Sequence, residues 1–408
     1  NATQALQGRV AGVNVLANSG APGAGLNVRI RGLSTNGNGN PLYIVDGMRT
    51  TDINNIAPGD IASIEVLKDA ASAAIYGARA AAGVILVTTK KGSLGAARIS
   101  YNGYYGLQGP ARKLDMLNAT EYATLYNEML DNSGKEPLFE DPEAFGEGTD
   151  WQEAIFSYSS VIQNHDVNIS GGTDKLNYYS SFGYFGNEGI VTPEVSYFKR
   201  YNFRLNTDYK LKDWLTFGEK LSYSYSQRNA IEDNNNASGV LMNALHIDPI
   251  TPVIETDPAK LNSPPYTTGQ CLQDENGNYY SFPYYSTRTN PLIWAYYQTN
   301  LPISHNVNGN FYVELNPIKN LTLRSSVGIG GIFSTGESYT SAVYMNPSTY
   351  YLTDAYTVSF LSSYFWNLEN TVSYNLRSGK HNFVFLAGTG NYVDNISQYV
   401  ALQYQDLP

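Results

Sequence analysis

The sequence predicts a transmembrane β-barrel preceded by a small mixed α/β domain, and two observations carry the barrel. From about Lys175 onward the chain runs in segments of roughly ten to fifteen residues that alternate with the period of two required of a half-buried strand. The connections between them alternate too: GGTDK (171–175), LKDW (211–214), NPIKN (316–320) and RSGK (377–380) are tight turns, whereas 108–160, 187–196, 229–302 and 334–356 are mostly long excursions. Long strands with tight turns on one side and long loops on the other mark an outer-membrane barrel. Soluble sandwiches use shorter strands and lack the asymmetry.

The clearest strand is YFKRYNFRLNTDYK (197–210), with Tyr201, Phe203, Leu205 and Tyr209 on one face and Arg200, Asn202, Arg204, Asn206 and Asp208 on the other. Nine candidates follow this logic, near 97–107, 161–171, 175–186, 197–210, 214–228, 303–316, 320–333, 357–376 and 380–393. Bacterial single-chain barrels normally have an even strand count because both termini lie on the periplasmic side. A ninth strand that leads outward therefore predicts further strands downstream. The opening NATQALQGRV reads as mid-domain sequence, so residues upstream are expected as well.

Composition agrees with a sheet and excludes several function classes. The 34 Tyr among 408 residues suit a membrane–water interface, a sugar-stacking surface or any long sheet. A net charge of −10, with Lys and Arg scattered, gives no footprint for nucleic-acid phosphates. No apolar run reaches the roughly 20 residues of a transmembrane helix. The single cysteine, Cys271, rules out an intrachain disulfide framework.

In the N-terminal region, Ile61 to Gly92 reads as a strand, a small-residue helix over Asp69–Ala82 and a buried strand over Gly83–Thr89. Asp69 near the helix start suits the macrodipole. Alone, this stretch would fit the opening unit of a soluble α/β enzyme; the barrel pattern behind it argues otherwise. LYIVDG ends another strand at a turn, and IRG places Arg29 and Arg31 on one side of an alternating strand.

Enzymatic constellations are fragmentary. GAPGAG (20–25) and GIGG (328–331) lack the GK[ST] and strand–helix context of a phosphate cradle, so they read as turn or packing glycines. His165, His246, His305 and His381 never fall at a metal-binding spacing, and there is no G-x-S-x-G elbow. EDPEAFGEGTDW (140–151) reads as a solvated acidic loop. DENGNYY (274–280) has alternating oxygen ligands but not the positioned glycine and distal glutamate of an EF-hand; no cofactor is expected, with a structural calcium there as the alternative. The loop 229–302 gathers Tyr279, Tyr280, Tyr284, Tyr285 and Trp294 among amides and acids. Three uses stay open for them: stacking on sugar or peptide cargo, contact with a partner protein, or ordering the loop itself. The polar turn NGNGN offers Asn36, Asn38 and Asn40 to a cavity from which substrate would enter.

The segments ALQGRVAGVNVLANSGAPGAG (5–25), VRIRGLSTNGNGNPLYIVDGM (28–48) and IEVLKDAASAAIYGARAAAGVILVTTKKG (64–92), in that order, resemble the plug domain of TonB-dependent outer-membrane transporters, and more narrowly the SusC/RagA-like transporters of Bacteroidetes. The resemblance implies a plug over 1–96 and the first part of a roughly 22-stranded barrel over 97–408. It implies import of an oligomeric nutrient across the bacterial outer membrane, with no bond broken in the cargo. A SusD-like surface lipoprotein would lid the barrel, and TonB, driven by the inner-membrane proton gradient, would act on the plug. Oligosaccharide is the preferred cargo and oligopeptide the alternative; a non-transporting adhesin or structural barrel is the second class. By the same resemblance Arg31 and Arg79 are expected to lock the plug against acidic groups of the inner wall. Parity places Glu314 and Glu369 inward, and Glu219 toward lipid. The TonB box and the β-sandwich extension that often precede such a plug are not in the sequence, which supports the expectation of missing upstream residues.

Overall fold

The computed structural model describes residues 3–17, 19–32, 39–50, 52–69, 76–229, 231 and 239–406. Six short strands build the N-terminal domain: β1 Val13–Ala17, β2 Leu26–Ile30, β3 Leu42–Val45, β4 Met48–Thr50, β5 Ile61–Leu67 and β6 Val84–Thr89. β1 and β2 form a hairpin, and the others form a sheet ordered β4-β3-β6-β5. Their apolar residues build two small cores: one holds Val28, Ile85 and Val87 with Ile53 from the loop after β4, and the other holds Ile44 and Val84 with Ala80.

The stretch that could have opened a parallel βαβ unit does otherwise: β5 and β6 pair antiparallel, and the parallel partner of β6 is β3. Of the expected helix over Asp69–Ala82, residues 70–75 lie outside the described residues, and Ala78–Ala82 is a 3-10 turn. That turn ends at Gly83, whose φ of +90° and position are both restrictive, since a Cβ there would come within 2.7 Å of Ile30. Only glycine fits such an approach.

Beyond it stand nine long strands: β7 Gly95–Gln108, β8 Ser160–Gly172, β9 Leu176–Glu188, β10 Tyr197–Lys212, β11 Leu215–Asn229, β12 Gln298–Ile318, β13 Leu321–Thr340, then, after the small hairpin β14 Val343–Asn346 and β15 Thr349–Tyr351, β16 Ala355–Ser378 and β17 His381–Gln405. They form one antiparallel meander, β17-β16-β13-β12-β11-β10-β9-β8-β7, open along β7 and β17. Each predicted strand corresponds to an observed one. The direct cross-strand register Tyr184↔Tyr201↔Tyr225 keeps outward aromatics beside one another, and Tyr201, Phe203 and Tyr209 are exposed on that face. An apolar outer face with interfacial aromatics is what a lipid-facing barrel wall requires. No helix among the described residues is long and apolar enough to cross a membrane.

The long connections on the other side pack together. They carry α1 Ala119–Asn132, α2 Trp151–Ile155, α3 Val240–His246, α4 Pro258–Leu261 and α5 Pro291–Tyr296. α1 starts at a capping box: Asn118 Oδ1 accepts from Glu121 N at 2.8 Å, and Glu121 Oε2 accepts from Asn118 N at 3.0 Å. α2, α3, α5 and the β14–β15 hairpin share an apolar core that includes Trp151, Val240, Ile293 and Met345.

Candidate functional site

The N-terminal domain sits against the inward face of the wall, and much of the contact is polar. The inward residues Arg200, Asn202, Arg204 and Asn206 of β10 are all buried, although they are the ionic face of the strand. Each finds its partner in the N-terminal domain. Arg200 donates to the carbonyl of Asn54, and Asn202 Nδ2 donates to Asn55 O at 2.5 Å. Asn206 Nδ2 donates to Thr89 Oγ1 at 2.9 Å and to Lys90 O at 2.7 Å. Arg204 lies between two carboxylates, 3.7 Å from Asp46 and 3.4 Å from Asp60.

Local sequence explains why those two acids are there. The register Val45↔Met48 leaves Asp46-Gly47 as a two-residue hairpin turn between β3 and β4, with φ of +51° and +89°. Positive φ at both central positions is the type I′ requirement, and Asp-Gly is a preferred pair for it. The turn is aimed at the wall, where Asp46 accepts from Lys220 Nζ at 3.1 Å while its carbonyl accepts from Asn310 Nδ2 at 3.0 Å. Within its own domain it accepts from Thr89 N at 3.1 Å and Thr89 Oγ1 at 2.6 Å. Burial pushes the Asp46 carboxyl upward, but Lys220, the two Thr89 hydrogen bonds and Arg204 together outweigh it and hold the group below the ordinary carboxylate value. Asp60 closes the 3-10 turn Pro58–Asp60 and accepts from the Tyr179 hydroxyl at 2.8 Å.

This interface reverses the charge sense expected from the sequence. The N-terminal domain contributes the acids, Asp46 and Asp60, and the wall contributes the bases, Arg204 and Lys220. Arg31 has left β2 for a left-handed conformation (φ +56°) and pairs at 2.7 Å with Asp69 of its own domain, both side chains exposed. Arg79 is exposed in the 3-10 turn. Glu314 and Glu369 stand on the inward-facing positions that parity predicts, yet their nearest partners are in the wall. Glu314 accepts from Asn316 Nδ2 at 3.4 Å and lies 3.7 Å from Arg324, and Glu369 accepts from the Tyr392 hydroxyl at 2.7 Å. Glu369 reaches the N-terminal domain indirectly, because the Arg49 guanidinium lies 3.6 Å over the Tyr392 ring. The structure therefore does not bring the four expected lock residues together. Glu219 is on the outer face, accepting from Thr207 Oγ1 at 3.1 Å.

On the loop side of this interface a cavity of about 670 Å³ opens between the N-terminal domain and β7–β12. Asn102, Asn164 and Asn187 line it with Asp166, Phe185 and Arg200, giving amide donors and acceptors, both signs of charge and an aromatic face. The five aromatics expected to face cargo do not line it. Tyr280 is buried in the loop core, and Trp294 packs against Tyr297 at a ring distance of 5.2 Å. Tyr284 donates to Glu255 Oε2 at 2.7 Å and supports the ammonium of Lys260 over its ring; burial first, and Glu255 second, push its phenol well above the usual range. Tyr279 meets Tyr266 edge-on at 5.7 Å, and Tyr285, the most exposed of the tyrosines, meets Phe139 at 4.8 Å. Of the three uses left open, ordering the loop fits these positions. Asn40 is exposed and accepts from Arg29, while Asn36 and Asn38 lie outside the described residues. In the loop 274–280 the Asp274 carboxylate is taken up by its own turn, accepting from the backbone of Asn276 at 2.9 Å and of Asn278 at 2.8 Å.

Comparison with known proteins gives a consistent picture. Residues 1–84 match the TonB-dependent receptor plug domain. The TonB-dependent receptor P26 of Formosa agariphila is 33% identical over 402 residues, which cover 95% of this chain and 37% of that protein. The TonB-dependent receptor SusC of Bacteroides thetaiotaomicron is 33% identical over 363 residues, covering 83% and 34%. Among solved structures, that of the RagAB peptide transporter superposes with a TM-score of 0.81 at 26% identity, over 99% of this chain and 47% of that one. The chain thus spans little more than a third of the curated relatives and about half of the solved one.

Proposed function

Since the chain belongs to the SusC/RagA-like TonB-dependent transporters, which are outer-membrane β-barrel proteins, we propose that the whole protein imports an oligomeric nutrient across the outer membrane. Residues 1–96 serve as plug and 97–408 as the first nine strands of the barrel. A SusD-like lipoprotein closes over the loops, and TonB supplies the work of release. The observation that carries this reading is the cavity of about 670 Å³ between the plug and the wall on the loop side. Its lining mixes asparagine amides and both signs of charge with apolar and aromatic side chains, and the buried ionic contact lies beneath it.

The preferred cargo is an oligosaccharide, whose hydroxyls suit the three asparagine amides and whose ring faces suit Phe185. Oligopeptide is the second reading. It is favoured by the likeness to the RagAB peptide transporter and by the presence of both Asp166 and Arg200, which suit the two ends of a zwitterion. Native mass spectrometry on the whole protein, extracted gently from outer membranes, separates these. A lipoprotein partner with hexose mass increments supports the first and amino-acid increments the second. A chain with neither partner nor cargo refutes the import reading in favour of an adhesin or structural barrel.

A further inference from the structure

Three cavities lie in series along the seam between plug and wall. Below the loop-side chamber is a narrow one of about 80 Å³, bounded by the β3–β4 turn, Asn55 and Asp60 on the plug and by inward residues of β10–β16. Beneath the same turn lies a third of about 320 Å³, reaching Tyr76 and Lys91 on the plug and Arg324 and Glu369 at the tight-turn end of the wall. The second and third cavities share three lining residues, Asp46, Lys220 and Asn310. These three are in direct contact, Lys220 with the Asp46 carboxylate at 3.1 Å and Asn310 with its carbonyl at 3.0 Å. The partition between the cavities is therefore one two-residue turn, pinned by two wall side chains.

The pinned arrangement leaves polar groups unmet. Asn310 is 4% exposed, yet its Oδ1 accepts nothing from the described residues. Asn367, 3% exposed, has no partner among them for either side-chain polar atom. Asn367 stands beside Met48, the residue after the turn, since both come within 3 Å of a Cβ built at Gly328. Within the plug the turn is tied to β6, through Thr89 N and Oγ1 on the Asp46 carboxylate and Asp46 N on Val87 O at 3.0 Å; its ties to the wall are Lys220, Asn310 and, at 3.7 Å, Arg204, and Gly47 adds no side chain to them.

We propose that the Asp46-Gly47 turn is a local gate on the cargo path. Cargo held in the loop-side chamber passes along the inward face of β10–β16 toward the tight-turn side when the turn withdraws from Lys220 and Asn310, while the core of the plug stays docked. This rests on the import reading, and its test is chosen to separate the two.

In the full-length transporter carrying Cys271→Ser, Asp46→Cys and Lys220→Cys, a short bis-methanethiosulfonate would bridge turn to wall. The expected result is loss of native cargo uptake on bridging and its return on reduction. Separately, Asp46→Ala with Lys220→Ala in a planar bilayer should give discrete ion openings, smaller than the continuous current of a barrel without its plug. A bridge verified by mass with undiminished uptake would overturn the gate. So would a double-alanine protein as silent as the unmodified one, or one that conducts continuously like an empty barrel. Small-ion current does not depend on cargo: openings in a protein that takes up nothing support the gate and remove the import reading, whereas intact uptake with silent current rejects the gate alone.

Discussion

Replacing Asp46 by alanine strands a buried cation. The Lys220 side chain is 10% exposed and has Asp46 as its ion-pair partner at 3.1 Å; Arg204 keeps Asp60 at 3.4 Å. Removing one member of a buried pair costs about 3–5 kcal/mol, because the remaining charge keeps its desolvation penalty without its attraction. At a factor of ten for every 1.4 kcal/mol or so, amides of β3 and β4 that exchange through undocking of the turn should exchange roughly 10² to 10³·⁵ times faster. Adding Lys220→Met removes the stranded charge and should recover part of the loss, though the turn still lacks its ionic pin. Hydrogen exchange with mass detection, on the peptide spanning 42–50 in the detergent-solubilised transporter, reads both variants. Exchange at the unmodified rate in the single variant, or faster exchange in the double than in the single, would refute the assignment of this contact as a buried, coupled ion pair.

The same carboxylate sets a pH dependence. Because the docked Asp46 is held below its ordinary value of 3.8, its contribution is fully present above that value and is lost as pH falls through the lower, docked one; exchange protection of the turn, corrected for intrinsic rates, should hold from neutral pH down to that window and drop within it. Gly47→Ala meets no clash but must keep φ near +89°, so it should weaken the turn by about 1–2 kcal/mol, measurable by the same exchange experiment. Tyr280→Ala should cost the loop core about 3–5 kcal/mol, seen as faster proteolysis of 230–297, whereas the exposed Tyr285 should show far less.

The sequence announces the wall because each long strand states its own face: period-two alternation needs no knowledge of a partner. Boundaries failed where local composition imitates a turn. β17 runs to Gln405 rather than ending near 393, and the expected end falls where the pairing with β16 shifts register between Tyr364 and Trp366. β12 likewise begins at Gln298, ahead of the expected 303, and carries Pro302 within the strand.

The polarity of the plug contact was out of reach for a different reason. Arg200 and Arg204 were legible as inward residues, but their partners lie 144 or more positions away in sequence, and parity says which face a side chain takes, not which group it meets. One local signal did exist: Asp-Gly closing LYIVDG marks a two-residue turn, and a turn acid free of any helix is a ready counter-charge for a basic wall. The aromatics of 229–302 were ambiguous because tyrosine serves packing and recognition with the same chemistry, and only their positions in the fold favour packing.

A wall that carries the positive side of the contact has a consequence for assembly. Arg200, Arg204 and Lys220 project from neighbouring strands into a space where the carboxylates that meet Arg204 and Lys220 belong to the plug. Without Asp46 and Asp60, Arg204 and Lys220 would stand on adjacent strands of one face, repelling each other with no plug carboxylate to neutralise them. The plug is in this sense the counterion of the wall it docks against.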